Sequence, residues 1–417
     1  MKRGLSIFFF IHVALISFAQ PVPMQEKNNL NYFTQYALTN SPLLKDYESQ
    51  LSSLSLDSKI FLASQKPQVN GISNNNYAPV IGGWGYDKAI TNGQQVSALV
   101  SVNKSLLNKK SIASQLESLQ IQGQSALNSS KISEQDIKKA VADQYITVFG
   151  EQLQLDFNTL INNMLLKEDS ILKKLTQDNV YKQSDYLAFV VTRQQQLLST
   201  SQLQVQYNYD YAALNYLAGI VDLSVIPLSD PQLLSATVGD FTASLFYKKF
   251  ELDSMKLAND RALVDVNYRP KINLFADAGY NSSLAYKPYK NLGTSVGVNL
   301  TIPIYDGKQR KMQYSKIGIQ ERNRLFKKDF FAKQRRQQIL QLVQQLNSTE
   351  QLIDPINKQV KYTETLITVN EKLLGTGDIR LTDFILSLNN YFTAKNLVTQ
   401  NYISRLRIIN QLNYWGK

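Results

Sequence analysis

Apolar and polar positions along this chain change period several times, and the changes come round twice. From Asn29 to Gln65 apolar residues fall at helical spacing, through Tyr36, Leu43, Leu44, Leu51, Leu54 and Phe61, and Pro67 ends the run. The stretch from Val69 to Tyr77 is polar and asparagine-rich, which predicts a weak strand at best. A loop over 79–93 follows, carrying Gly82, Gly83, Trp84, Gly85 and Tyr86. The period then becomes two: Val96, Ala98, Val100 and Val102 alternate with Ser97, Leu99, Ser101 and Asn103, the pattern of a strand. From Asn108 to about Gln177 there is no proline, and apolar residues recur every three or four positions through Ile137, Val141, Tyr145, Val148, Leu153, Leu160 and Met164. Such a helix is roughly 100 Å long. Its apolar stripe is narrow and interleaved with glutamines, which predicts coiled-coil packing against neighbours rather than burial on all sides. A tight turn near Asn179 reverses it into a shorter helix, Ser184 to Leu217.

The same succession then repeats. A helix runs from Phe241 to Val266 and stops at Pro270. Ile272, Leu274, Ala276, Ala278 and Tyr280 alternate with Asn273, Phe275, Asp277 and Gly279. Val296, Val298, Leu300 and Ile302 alternate with Ser295, Gly297, Asn299 and Thr301. A long helix from Lys308 to Leu374 carries Pro355, which predicts a kink or local break. The chain turns at Gly375-Thr376-Gly377 and returns from Thr382 to Trp415. The register between copies is constant: Asp185 and Asp383, like Leu214 and Leu412, are 198 residues apart. The expected organisation is a leader over 1–19, a first repeat over 20–219 with a hairpin at 67–104, a linker over 220–240 packed on the helices, and a second repeat over 241–417 with a hairpin at 270–303. Ser184 and Thr382 stand where an N-cap would help start each returning helix.

Each strand is about ten residues, the length that crosses a bilayer when tilted. Small and polar residues on one face with aliphatics on the other suit a barrel wall between a wet lumen and lipid; the edge of a soluble sandwich is the plainer alternative. Tyr77, Trp84, Tyr86, Tyr280, Tyr286 and Tyr289 gather near the hairpin tips, as an interfacial aromatic girdle does.

Composition narrows the chemistry. Lys2 and Arg3, an apolar run from Leu5 to Phe18 and the small residues Ser17 and Ala19 read as a secretory signal, so the chain is expected outside the cytoplasm. Among 417 residues there is no cysteine, and the single histidine, His12, lies inside that signal. Disulfides, thiolate chemistry and the commonest general base and metal ligand are therefore missing. There is no Gly-x-Ser-x-Gly elbow and no phosphate-cradling Gly-Lys-Ser loop, and Gly375-x-Gly377 lacks the third glycine of a dinucleotide fingerprint. No enzyme activity, cofactor or metal is expected. Lysine and arginine exceed aspartate and glutamate by 12, but export argues against a nucleic-acid partner. The basic residues of 308–336, among them Lys327, Lys328, Lys333, Arg335 and Arg336, read as a solvated helix face. After the signal no run of eighteen apolar residues occurs, so no spanning helix is expected.

Helix, hairpin, long helix, tight turn and returning helix, duplicated behind a signal, resemble the TolC-like outer-membrane efflux proteins over residues 28–416. The residues that carry the likeness are Gly377 to Phe384 with the helix bearing Tyr391, Ala394 and Lys395, the junction from Ile302 to Gly307, and Arg269-Pro270 entering a strand. The resemblance implies a mostly α-helical homotrimer with a twelve-stranded membrane β-barrel, four strands from each chain, continued by a periplasmic coiled-coil tunnel. It implies the outer membrane of a Gram-negative bacterium, an exit duct for efflux or export, and docking of the tunnel tip onto a periplasmic adaptor bound to an inner-membrane pump. Asp383 matches a position that lines the family's constriction; the second acidic position falls on Leu386. Asp185 and Ser184 match positions that hold neighbouring helices together in the closed tip. Their usual partners fall on Leu374 and Ile379, with Arg380 one residue away. The tip itself is carried by Asn179, Gly375, Gly377, Leu381 and Thr382. Asp383 also reads simply as an acid in the first turn of a helix. A protein-secretion duct of the same fold, and a soluble periplasmic coiled-coil scaffold without a barrel, remain the alternatives.

Overall fold

Asn108 starts the longest element. Its side-chain oxygen accepts hydrogen bonds from the backbone N–H groups of Lys110 and Ser111 at 2.6 and 3.2 Å, and α3 (Lys109–Gln177) then runs unbroken for 69 residues. The computed structural model describes residues 27–87, 93–235, 244–284 and 286–416; the expected leader over 1–19 lies outside them. Around α3 are α1 (Leu30–Asn40), α2 (Pro42–Ser64), α4 (Gln183–Ala218), α5 (Leu245–Asn267), α6 (Gln309–Gln351), α7 (Ile353–Thr376) and α8 (Leu381–Trp415). Among the described residues no helix is long and apolar enough to cross a membrane.

Two prolines set helix boundaries. The single helix expected over 29–65 is two, because Pro42 cannot continue a helix through Ser41. Ser41 is extended, accepts from the Leu44 N–H, and leaves Pro42 at the first helical position, where its missing donor is no loss. In the second copy the long helix breaks at Leu352, and Pro355 sits in the first turn of α7. That is the break Pro355 predicts.

The strands β1 (Gln68–Tyr77), β2 (Gln94–Leu106), β3 (Lys271–Ser282) and β4 (Leu292–Thr301) form one antiparallel sheet in the order β1-β2-β3-β4. The stretch expected to be a weak strand is thus a full ten-residue strand. Its asparagines are held by the ladder: Asn74 pairs with Ser97, Asn75 with Val96 and Asn76 with Gln95. Strand formation there comes from the partner rather than from local propensity. Register assigns every residue to a face. On one lie Asn70, Ser97, Ser101, Asn103, Asn273, Asp277, Ser295 and Asn299; on the other lie Val69, Val96, Val100, Val102, Ile272, Leu274, Val296, Val298 and Leu300. Phe275, on the polar face, lies across Gly297, whose missing side chain makes the room.

One apolar core gathers Phe33 of α1, Val141, Tyr145, Ile146 and Phe149 of α3, Tyr207, Tyr211 and Leu214 of α4, and Leu406 of α8. The segment after α4 packs onto this core, as expected of the linker: Leu228 is buried, and the Tyr145 hydroxyl donates to the carbonyls of Asn28 and Ser229 at 2.7 and 2.6 Å. Gln152 both accepts from the Leu228 N–H and donates to its carbonyl. The basic stretch of α6 departs from expectation at one residue. Arg335 is only 3% exposed, reaching the Trp415 carbonyl and the Ser244 hydroxyl. Packing against the end of α8, not solvent, receives that side chain.

Candidate functional site

The two helix reversals meet. At the end of α3, Asn179 takes a left-handed conformation (φ 59°) and the Val180 N–H returns to the Leu175 carbonyl at 2.8 Å. At the end of α7, Gly377 does the same (φ 82°), and the Asp378 N–H returns to the Leu373 carbonyl at 2.9 Å. These are one Schellman closure made twice. Asparagine tolerates the left-handed region and glycine enters it freely, which is why these residue types stand here. The closures touch: a Cβ added to Gly377 would sit 2.5 Å from Val180 Cγ1.

Tyr181 ties them together, and sequence reasoning missed it. Its ring is buried in the core formed by Leu165, Leu172, Phe189, Leu374, Leu381, Phe384 and Leu388, while its hydroxyl donates to the Ile379 carbonyl at 2.8 Å. Burial, reinforced by the charge of Asp378, pushes its pKa up, so it stays a neutral donor. The only local signal is an aromatic residue two places after a turn; its partner lies 198 residues away.

The residues singled out from sequence fall into three groups. Arg380 and Asp383 form a bidentate pair within the first turn of α8, Nε to Oδ2 at 2.9 Å and Nη2 to Oδ1 at 3.2 Å, and the pairing raises the arginine pKa. Within this chain the Arg380 guanidinium is thus engaged by Asp383. Asp185 is half-buried in the first turn of α4, with the Ser184 hydroxyl at 3.5 Å. Ser184 and Thr382 are not caps: the N-cap positions are Lys182 and Arg380, neither of which caps through its side chain. Each returning helix starts two residues earlier than the polar residue suggests, because the Schellman closure leaves so short a link. Asn179, Gly375 and Thr382 are exposed at the turns, available to a partner. Leu381, expected among them, is instead a core residue at 3% exposure.

A duplicated four-helix shaft, a two-faced sheet at one end and paired reversals at the other make the fold of the TolC-like outer-membrane channels. The particular solved structures it is similar to include the outer membrane protein VceC from Vibrio cholerae, with a TM-score of 0.77 at 12% identity, covering 93% of this chain and 96% of VceC. The outer membrane channel CmeC from Campylobacter jejuni gives 0.71 at 12%, covering 93% and 85%. The open state of the Neisseria gonorrhoeae MtrE outer membrane channel gives 0.70 at 12%, covering 93% and 88%. No protein-family model and no curated protein matches the sequence. What is shared is the course of the backbone.

Proposed function

We propose that three copies of this chain form an outer-membrane exit duct of a tripartite efflux system, working by conduction rather than chemistry. The observation that carries this reading is the sheet. Its four strands are long enough to cross a bilayer when tilted, one face is aliphatic and the other polar, and β1 and β4 each leave an edge unpaired. Pairing β4 of one copy with β1 of the next closes twelve strands with no free edge, the aliphatic face toward lipid and the polar face toward water. A soluble scaffold has no use for such a face. The solved structures of the same fold are described as outer-membrane channels.

In this reading the helices continue the barrel as a periplasmic tunnel, and the reversals at Asn179 and Gly377 form its tip. Docking of a periplasmic adaptor and its inner-membrane pump on Asn179, Gly375 and Thr382 shifts α7 and α8 relative to α3 and α4 and opens the tip. Asp383, with Arg380 as its counter-ion, lines the constriction; Asp185 and Ser184 bear on the neighbouring protomer.

Extraction from isolated outer membranes tests the assembly. A species that needs detergent, runs as a heat-modifiable trimer and conducts in planar bilayers is expected; a soluble monomer or dimer would sink the barrel and the duct with it. Asp383→Ala is then expected to change cation preference or block by trivalent cations. Unchanged conductance and ion preference would leave Asp383 a residue of the helix start and nothing more.

A further inference from the structure

Glu168 of α3 is fully buried, and neither of its carboxylate oxygens meets a donor from the protein. It lies ten residues before the Asp178 that ends α3, about 15 Å up the shaft from the first reversal. Across the seam between the copies stands Glu371 of α7, its carboxyl within hydrogen-bonding reach of Glu168 and its Oε1 2.7 Å from Lys167 Nζ. Glu371 has Lys167 as its donor and is only part-buried, whereas Glu168 is fully buried with no donor of its own, so the proton belongs on Glu168, which then donates to Glu371.

We infer that Glu168 and Glu371 form a proton-operated latch across the seam between the α3–α4 and α7–α8 pairs, holding the two reversals together while the shared proton is present and loosening them when it leaves. The groups acting on Glu168 are Glu371 from α7 and Lys167 from its own helix; Lys167 already serves Glu371 and favours ionisation only weakly against the burial. On α4, Arg193 and Tyr186 are both engaged by Asp169. Leu381, Phe384, Leu388 and Tyr391 of α8 complete the neighbouring core.

The sign follows from where the proton resides. Burial first, then the charge of Glu371, pushes Glu168 up from an ordinary carboxyl value to about 7. The closed seam therefore holds a proton that an opened, hydrated seam gives up, and closure weakens as pH rises toward and through about 7. A second acidic pair offers a contrast: Glu151 of α3 is pushed up to about 8 by burial and by Asp210 of α4, with Arg407 of α8 acting against them.

The chain has no cysteine, so spin labels can be placed uniquely at Gln177→Cys and Gly375→Cys, both exposed beside the reversals, the latter with open space around its Cβ. The full chain in detergent, with labelled copies diluted among unlabelled ones, is expected to give one short label-to-label distance at pH 5.5. A longer population grows several-fold by pH 8.5. The isosteric Glu168→Gln keeps a donor toward Glu371 and is expected to stay short throughout, and Glu371→Gln to lose the pH response. A distance distribution unchanged between the two pH values, or a response that persists in Glu168→Gln, would overturn the latch. Its bearing on conduction rests on the duct reading. That reading fails separately, through absent conductance, while the distance experiment reads the seam alone.

Discussion

The two copies share an order of elements but not a distribution of core. In the first, α3 buries Val141, Tyr145, Ile146, Val148, Ile161, Leu165 and Leu172 along its whole length. In the second, α6 occupies the same place and buries only Arg335 and Leu342, while Ile319, Phe326, Phe330 and Leu340 stay exposed. The first copy's long helix is core, while α6 of the second keeps its apolar stripe turned outward and leaves the burial in that copy to α7 and α8. The difference teaches that a duplicated sequence need not make a self-sufficient fold twice. A shaft built for a ring needs one side to pack inward and one side left for the next protomer, which is what the proposed trimer supplies.

The comparison can be broken first at the shaft. Ile146→Ala should destabilise the dissociated chain by about 2–5 kcal/mol in chemical denaturation, the ordinary loss for a fully buried aliphatic. Leu340→Ala on α6 should change it by no more than about 0.5 kcal/mol. Equal effects would mean that α6 is as buried in the isolated chain as α3, and the outward stripe would lose its meaning.

The reversals sharpen it next. Gly377→Val is expected to cost about 1–3 kcal/mol, because valine resists the left-handed backbone and its Cβ meets Val180. Asn179→Gly at the matching turn should shift stability by a few tenths of a kcal/mol at most, since the left-handed state is already occupied there. Thermal unfolding of the two variants decides. Smallest is Tyr181→Phe. It removes one hydrogen bond to the Ile379 carbonyl and keeps the ring packing, so about 0.5–1.5 kcal/mol should be lost. If the loss is real, hydrogen exchange should quicken at both reversals together, since the hydroxyl joins them; a change confined to the first would show that the link carries no energy.

Much of this was readable before any coordinates. The period change at Val96, the unbroken run after Asn108 and Pro355 all report local rules, and each led to the element observed. What went wrong was also local in kind. Pro42 splits a helix whose apolar spacing continues straight across it. Ser184 and Thr382 resemble caps but stand at the second position of their helices, because turn geometry and not residue type chose the start. The asparagine-rich β1 has poor intrinsic strand preference and forms because β2 offers a complete ladder.

The candidate site divides along the same line. Asn179 and Gly377 were legible because a left-handed turn demands particular residues. Tyr181, Glu168 and the burial of Leu381 were not, because each depends on a partner from the other copy, and nothing in a side chain's own sequence neighbourhood encodes a contact 198 residues away. By itself the sequence determined the elements, their duplication, the two-faced strands and the absence of cysteine, since these follow from periodicity and composition. Only the tertiary structure decided which apolar stripes are core and which face outward, that Tyr181 reaches the Ile379 carbonyl, and that two acids share a seam. Those outcomes depend on how helices from separate copies pack side by side, and packing is a property of the pair.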